Sequence, residues 1–154
     1  MNRGGHRKIL VAAITVGLLV VAALVAVCCS TDDDPPGPAT LAYFVKTDEL
    51  SIASAMEVSR PEQLDAFFAS LHGGLSDGDE HLIRSVVENR PSNHRAFAFN
   101  VPGCQNTGAY LSISDERMHP VLTGGENVAC ARAVWYLAVF TLPAEAVPPT
   151  AKIG

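Results

Sequence analysis

Residues 131–142 read ARAVWYLAVFTL. Both alternating faces of this run are apolar except at Arg132 and Thr141, the pattern of a central strand covered on two sides. The run is too short to cross a bilayer as a helix. Pro143, Pro148 and Pro149 follow it and predict an end to regular structure, with residues 144–154 as a Pro-rich tail.

Working back from that strand, Tyr110–Ser114 and Met118–Thr123 are two shorter strand candidates, with Asp115-Glu116-Arg117 as the tight connection and TGGEN from Thr123 as a loop. Phe97, Phe99 and Val101 alternate with smaller residues, a strand with one buried face, and Pro102-Gly103 marks its end. LAYFVKT, from Leu41 to Thr47, is aromatic and β-branched and predicts a first strand. Between Asp48 and Val58 the even spacing of Ile52, Met56 and Val58 favours strand or irregular structure, although a helix also fits.

Two helices are expected. Ser59-Arg60-Pro61-Glu62 reads as a capping box, and Leu64, Phe67, Phe68 and Leu71 then fall on one helical face before Gly73-Gly74 stops it. A Ser-Asp-Gly-Asp turn precedes Leu82, Ile83, Val86 and Val87, again at helical spacing, and Pro91 closes that segment. The expected fold class is therefore α+β: one small, mainly antiparallel sheet over residues 40–143 with one or two helices packed on it.

Ahead of this domain stands ILVAAITVGLLVVAALVAV, Ile9–Val27. At about 1.5 Å per helical residue, this unbroken apolar run matches a hydrocarbon thickness of ~30 Å. Arg3, Arg7 and Lys8 precede it and Asp32, Asp33 and Asp34 follow it, so the positive-inside rule puts residues 1–8 in the cytoplasm and the rest outside. The expectation is a single-pass signal-anchor in the cell membrane. Lipidation at Cys28 is the rival, although Val27 stands where a lipoprotein signal needs a small residue. Simple cleavage fits less well, because the run is long and lacks an A-x-A site. Residues 28–39 contain STDDDPPGPA, an acidic Pro-rich stalk that favours extended geometry.

From Cys28 onward the chain carries 8 basic and 16 acidic side chains, a balance of −8. That sign argues against a nucleic-acid partner, whose phosphates call for clustered Lys and Arg. Cys104 and Cys130 are the only cysteines of the domain, and in an exported chain they are expected to be bonded. Closing that loop contributes ~3.5 kcal/mol on the loop-entropy model.

No catalytic residue, metal ligand set or cofactor site is expected. His72, His81, His94 and His119 contain no i, i+4 pair, and there is no G-x-S-x-G elbow or phosphate-loop pattern. Asp77, Asp79, Glu80, Asp115 and Glu116 would support a small envelope hydrolase if they converged in space. A lipoprotein with a metal-binding role is a further alternative. Arg84, Arg90 and Arg95 gather near Asn93-His94 and form a candidate partner-binding face, possession of which suits an envelope protein partner.

With its anchor, stalk and cysteine pair, the chain resembles bacterial membrane-anchored or lipoprotein-type proteins that carry one small extracytoplasmic domain. The part from Phe97 to Pro148 resembles the protease-complex stability domain in its GAYLSIS segment, a polar connection and the last strand WYLAVFTLP. That resemblance covers about one third of the chain, carries over no functional residue, and implies a noncatalytic role in stabilising an envelope partner. The functional expectation is a noncatalytic binding or structural module tethered outside the membrane.

Overall fold

The computed structural model describes residues 38–47, 54–71, 75–125, 129–131 and 134–154. Residues 1–37 lie outside that set, and with them the basic N-terminus, the apolar segment 9–27, Cys28 and most of the stalk. Among the described residues no helix is long and apolar enough to cross a membrane.

The apolar run forms strand β6 (Val134–Pro143), and it is central as its composition demands. It lies between β1 (Thr40–Thr47) and β3 (His94–Gly103), and β2 (Ser54–Glu57) completes an antiparallel sheet of order β1-β6-β3-β2. Ala138, Val139, Phe140 and Leu142 are fully buried because both faces of the strand are covered. Leu137 and Val139 face one core layer with Ala96 and Ala98 of β3. Ala138, Phe140 and Leu142 face the other with Phe97 and Phe99.

Two helices fill the first layer: α1 (Pro61–Ser70) and α2 (Asp77–Glu88). Leu64, Phe67 and Leu71 of the first segment and Ile83 and Val87 of the second are buried there. The alanines of β3 leave room for these larger side chains. Leu82 was expected on the apolar face of α2 but is 52% exposed, because the buried stripe is centred on Ile83 and Val87.

The second layer holds a separate sheet of order β4-β5-β7, made of β4 (Gly108–Ser114), β5 (Arg117–Thr123) and β7 (Lys152–Ile153). A single sheet was expected; there are two, packed through Leu111 and Met118 against Phe97, Phe99 and Phe140. Phe99 and Phe140 meet edge to face, with ring centroids 5.9 Å apart. The segment read as a tail instead turns through a short 3-10 helix at Ala144–Ala146 and returns as β7, parallel to β5.

Local details depart from the sequence reading for identifiable reasons. In β1 the register shifts between Leu41 and Tyr43, a bulge at Ala42 that changes the phase of alternation. Leu41 and Phe44 thereby enter the second layer while Tyr43 and Val45 enter the helical one. The first helix is capped one residue later than expected: Gln63 Oε1 accepts from the Arg60 N–H at 3.0 Å. Ser59 is committed elsewhere, accepting from the Ala96 N–H at 2.9 Å. The Ser-Asp-Gly-Asp segment is the start of α2 itself: Ser76 caps it, accepting from the Asp79 N–H at 3.1 Å.

Strands β4 and β5 are joined by Asp115 and Glu116 alone, with φ of 49° and 61°. Positive φ at both central residues is the twist that a two-residue hairpin needs. Held by side chains other than glycine, it costs on the order of 1 kcal/mol per residue. Arg117 is thus the first residue of β5 and no part of the turn.

Phe140→Ala should destabilise the chain by about 3–5 kcal/mol, since it empties a fully enclosed ring site. Leu82→Ala should change stability by no more than ~0.5 kcal/mol. Urea unfolding of the two variants measures both.

Candidate functional site

The disulfide is formed: Cys104 and Cys130 are joined, with Cα atoms 5.8 Å apart, a separation ordinary for such a bond. Cys104 follows the last residue of β3, and Cys130 lies in the approach to β6. Beneath the bond is a hydrogen-bonded corner. The Tyr136 hydroxyl donates to the Cys104 carbonyl at 2.7 Å and accepts from the Asn106 N–H at 3.1 Å. The Asn106 amide donates to the Gly124 carbonyl at 2.7 Å, and its oxygen accepts from the Cys104 N–H at 2.9 Å.

Two further features fix this corner. The Tyr136 ring stacks on Phe44 with centroids 5.1 Å apart and planes 7° from parallel. A Cβ at Gly103 would come within 2.5 Å of both Asn106 Oδ1 and Leu122 Cδ1, so a larger residue there would push those side chains out of place. Neither Tyr136 nor Asn106 stood out in the sequence. The available signal was a tyrosine inside an apolar strand, whose hydroxyl must find a partner when buried.

The three arginines occupy two places. Arg84 pairs with Asp65 at 2.7 Å and lies 4.9 Å from the Phe68 ring centre, clamping α2 to α1. Arg90 and Arg95 both reach the segment before α1. Arg90 donates to the carbonyls of Val87, His94 and Ser59, tying the end of α2 to β3 and to that segment. Arg95 grips Glu57 through two hydrogen bonds of 3.0 and 2.7 Å and covers the Phe97 ring. Ser59 links the two, donating to Glu57 at 2.8 Å. These guanidinium groups make contacts within the fold, so a partner docking on them would share or displace those bonds.

Glu57 is held below the ordinary carboxylate value of 4.5, first by the Arg95 hydrogen bond and then by the Ser59 hydroxyl against a desolvation penalty. On the helical side, Asp79 is lowered from 3.8 by the Ser76 hydroxyl and then by Tyr43. The Tyr43 hydroxyl donates to Asp79 at 2.5 Å; burial and that carboxylate push its own pKa up to about 12. This bond ties β1 to the first turn of α2.

The acidic residues do not converge. Asp77, Asp79 and Glu80 belong to the first turn of α2, whose buried face packs on the helical side of the four-stranded sheet. Asp115 and Glu116 form the turn of the sheet packed on its opposite side. A whole sheet lies between the two groups, so no paired-carboxylate cleft joins them. Among the described residues no three His, Cys, Asp or Glu side chains come together as a metal site. His81 and His119 are exposed, and His72 is outside the described residues.

One concave feature lies on the second sheet. An open depression of about 710 Å³ is bounded by Ser114, Asp115, Glu116, Arg117, His119, Lys152 and Gly154. It combines two carboxylates with two cationic side chains and an imidazole, a hollow suited to binding a charged group.

Two measurements follow. Carboxylates with depressed folded values add stability above their unfolded values and lose it as pH falls through the folded ones. Stability should therefore decline as pH drops below about 4.5, and Glu57→Gln and Asp79→Asn together should flatten the decline in denaturation midpoints recorded across that range. Reduction by a thiol or phosphine should add two hydrogen atoms per chain, read by mass, and, as in Cys104→Ser/Cys130→Ser, cost ~3.5 kcal/mol in urea unfolding.

Compared with known proteins, the chain matches no family model, no curated sequence and no solved structure.

Proposed function

We propose that this chain is a noncatalytic binding or structural module displayed outside the cytoplasm, tethered to the membrane by residues 9–27. The observation that carries the reading is the Cys104–Cys130 disulfide, which closes the corner between β3 and β6. Such bonds form and persist in oxidising compartments. The apolar run, the basic residues before it and the acidic Pro-rich stretch after it agree with that placement.

The binding role is supported by where the polar groups of the domain are used. Arg84, Arg90 and Arg95, with Asp65, Glu57 and Asp79, hold elements of the fold together. The exposed outer side of the second sheet keeps its charged groups facing solvent, where a ligand could meet them. The resemblance to the protease-complex stability domain points the same way, toward supporting an envelope partner.

The test is made in intact cells. Cys104 and Cys130 of the full chain should resist alkylation until reduced, and the chain should keep Met1 and stay with membranes through an alkaline carbonate wash. In-cell cross-linking from the domain should yield a defined envelope adduct. Native free thiols would overturn the placement, an acylated N-terminus at Cys28 would replace the anchor by a lipid, and absence of any adduct would remove the binding role.

A further inference from the structure

The outer side of the β4-β5-β7 sheet carries an arrangement that the packing of the domain does not require. Leu111 and Met118 are buried against the four-stranded sheet, with Ala109, Ile113 and Ile153 packed beside them. Strand alternation therefore turns Ser112, Ser114, Arg117, His119 and Lys152 to the outside. Ser114 lies opposite Arg117 and Ser112 opposite His119. On the other flank of β5, Lys152 lies directly opposite Arg117.

Like charges placed opposite each other on neighbouring strands destabilise a sheet. Here they are fixed by the backbone: the Lys152 N–H donates to the Glu116 carbonyl at 2.7 Å, and the Gly154 N–H to the Met118 carbonyl at 3.0 Å. Neither Arg117 nor Lys152 forms an ion pair among the described residues, in contrast to Arg84 and Arg95. A chain with a balance of −8 after Cys28 thus holds a histidine and two cations without an ion pair among the described residues together on one face of the sheet.

We infer that this face is a binding site for a phosphate group, with Arg117 and Lys152 as its charged donors and His119 and Ser114 as additional donors. A tetrahedral anion between the two strands would relieve the repulsion of the facing cations and take charge-assisted hydrogen bonds from both. Arginine offers a planar fork of donors and lysine a compact point charge, complementary ways of holding phosphate oxygens. Asp115 and Glu116 line the same depression. Their charge opposes an anion, so they weaken the site and restrict it to a group that reaches the Arg117–Lys152 pair. The phosphate belongs either to a soluble molecule or to a lipid headgroup. This inference gives the binding module proposed above a ligand chemistry and rests on that reading.

The experiment uses the full chain in alkyl-maltoside micelles, which carry no phosphate, with the His119 ring and the Arg117 side chain observed by NMR. Inorganic phosphate should produce saturable shifts at both, larger than those from chloride at equal ionic strength. Arg117→Gln/Lys152→Gln should weaken binding more than tenfold, and Asp115→Asn/Glu116→Gln should tighten it. Adding phosphatidylglycerol to the micelles assigns the source: the same shifts without inorganic phosphate identify a headgroup, and their absence alongside phosphate binding identifies a soluble ligand. Shifts no larger than those from chloride, or unchanged affinity in the Arg117/Lys152 variant, would overturn the site. Because binding is read directly on the chain, a negative titration leaves the thiol-trapping test of its placement independent.

Discussion

Burial of β6 on both faces is the constraint on which the rest of the domain depends. A strand apolar on one side needs one covering layer; one that is apolar on both sides needs two. Helices α1 and α2 supply the first, and the β4-β5-β7 sheet supplies the second. The division of β3 follows from the same demand. Its alanines meet the bulky helical side chains, while Phe97 and Phe99 fill the space under the second sheet.

Polar groups are arranged around this core in two ways. Some are consumed in joining elements that are distant in sequence: Tyr43 to Asp79 and Arg90 to the Ser59 carbonyl beside the helices, and Arg95 to Glu57 on the opposite face of the four-stranded sheet. Each bond satisfies a group that would otherwise be costly to cover. The disulfide corner does the same at the far end of β3, where Tyr136 and Asn106 serve backbone groups brought close by Gly103. On the outer side of the second sheet, by contrast, Arg117 and Lys152 face each other without an ion pair among the described residues. This difference in how charge is used separates the surface proposed for binding from the surface that maintains the fold.

Much of this architecture was legible in the residues. The two-sided hydrophobicity of 131–142, the helical spacing of Leu64, Phe67, Phe68 and Leu71, and the single pair of domain cysteines each report a local pattern with one strong structural solution. The return of β7 was hidden, since two residues after a series of prolines carry no periodicity. The bulge at Ala42 was hidden too: LAYFVKT is apolar throughout, so its pattern does not reveal where the phase changes. The arginines illustrate a different limit. Their proximity in sequence suggested one patch, but Arg84 points into the α1–α2 seam while Arg90 and Arg95 meet at Ser59 and Glu57.

The sequence by itself determined the α+β composition, the central position of β6 and the pairing of Cys104 with Cys130, because burial and covalent pairing leave local signatures. Tertiary structure alone decided that there are two sheets, that the acidic residues are kept on opposite sides of one of them, and that Lys152 stands beside Arg117. Those outcomes depend on strand order and register between segments far apart in the chain. Residue patterning specifies which face of a strand is buried, but not which distant strand lies beside it.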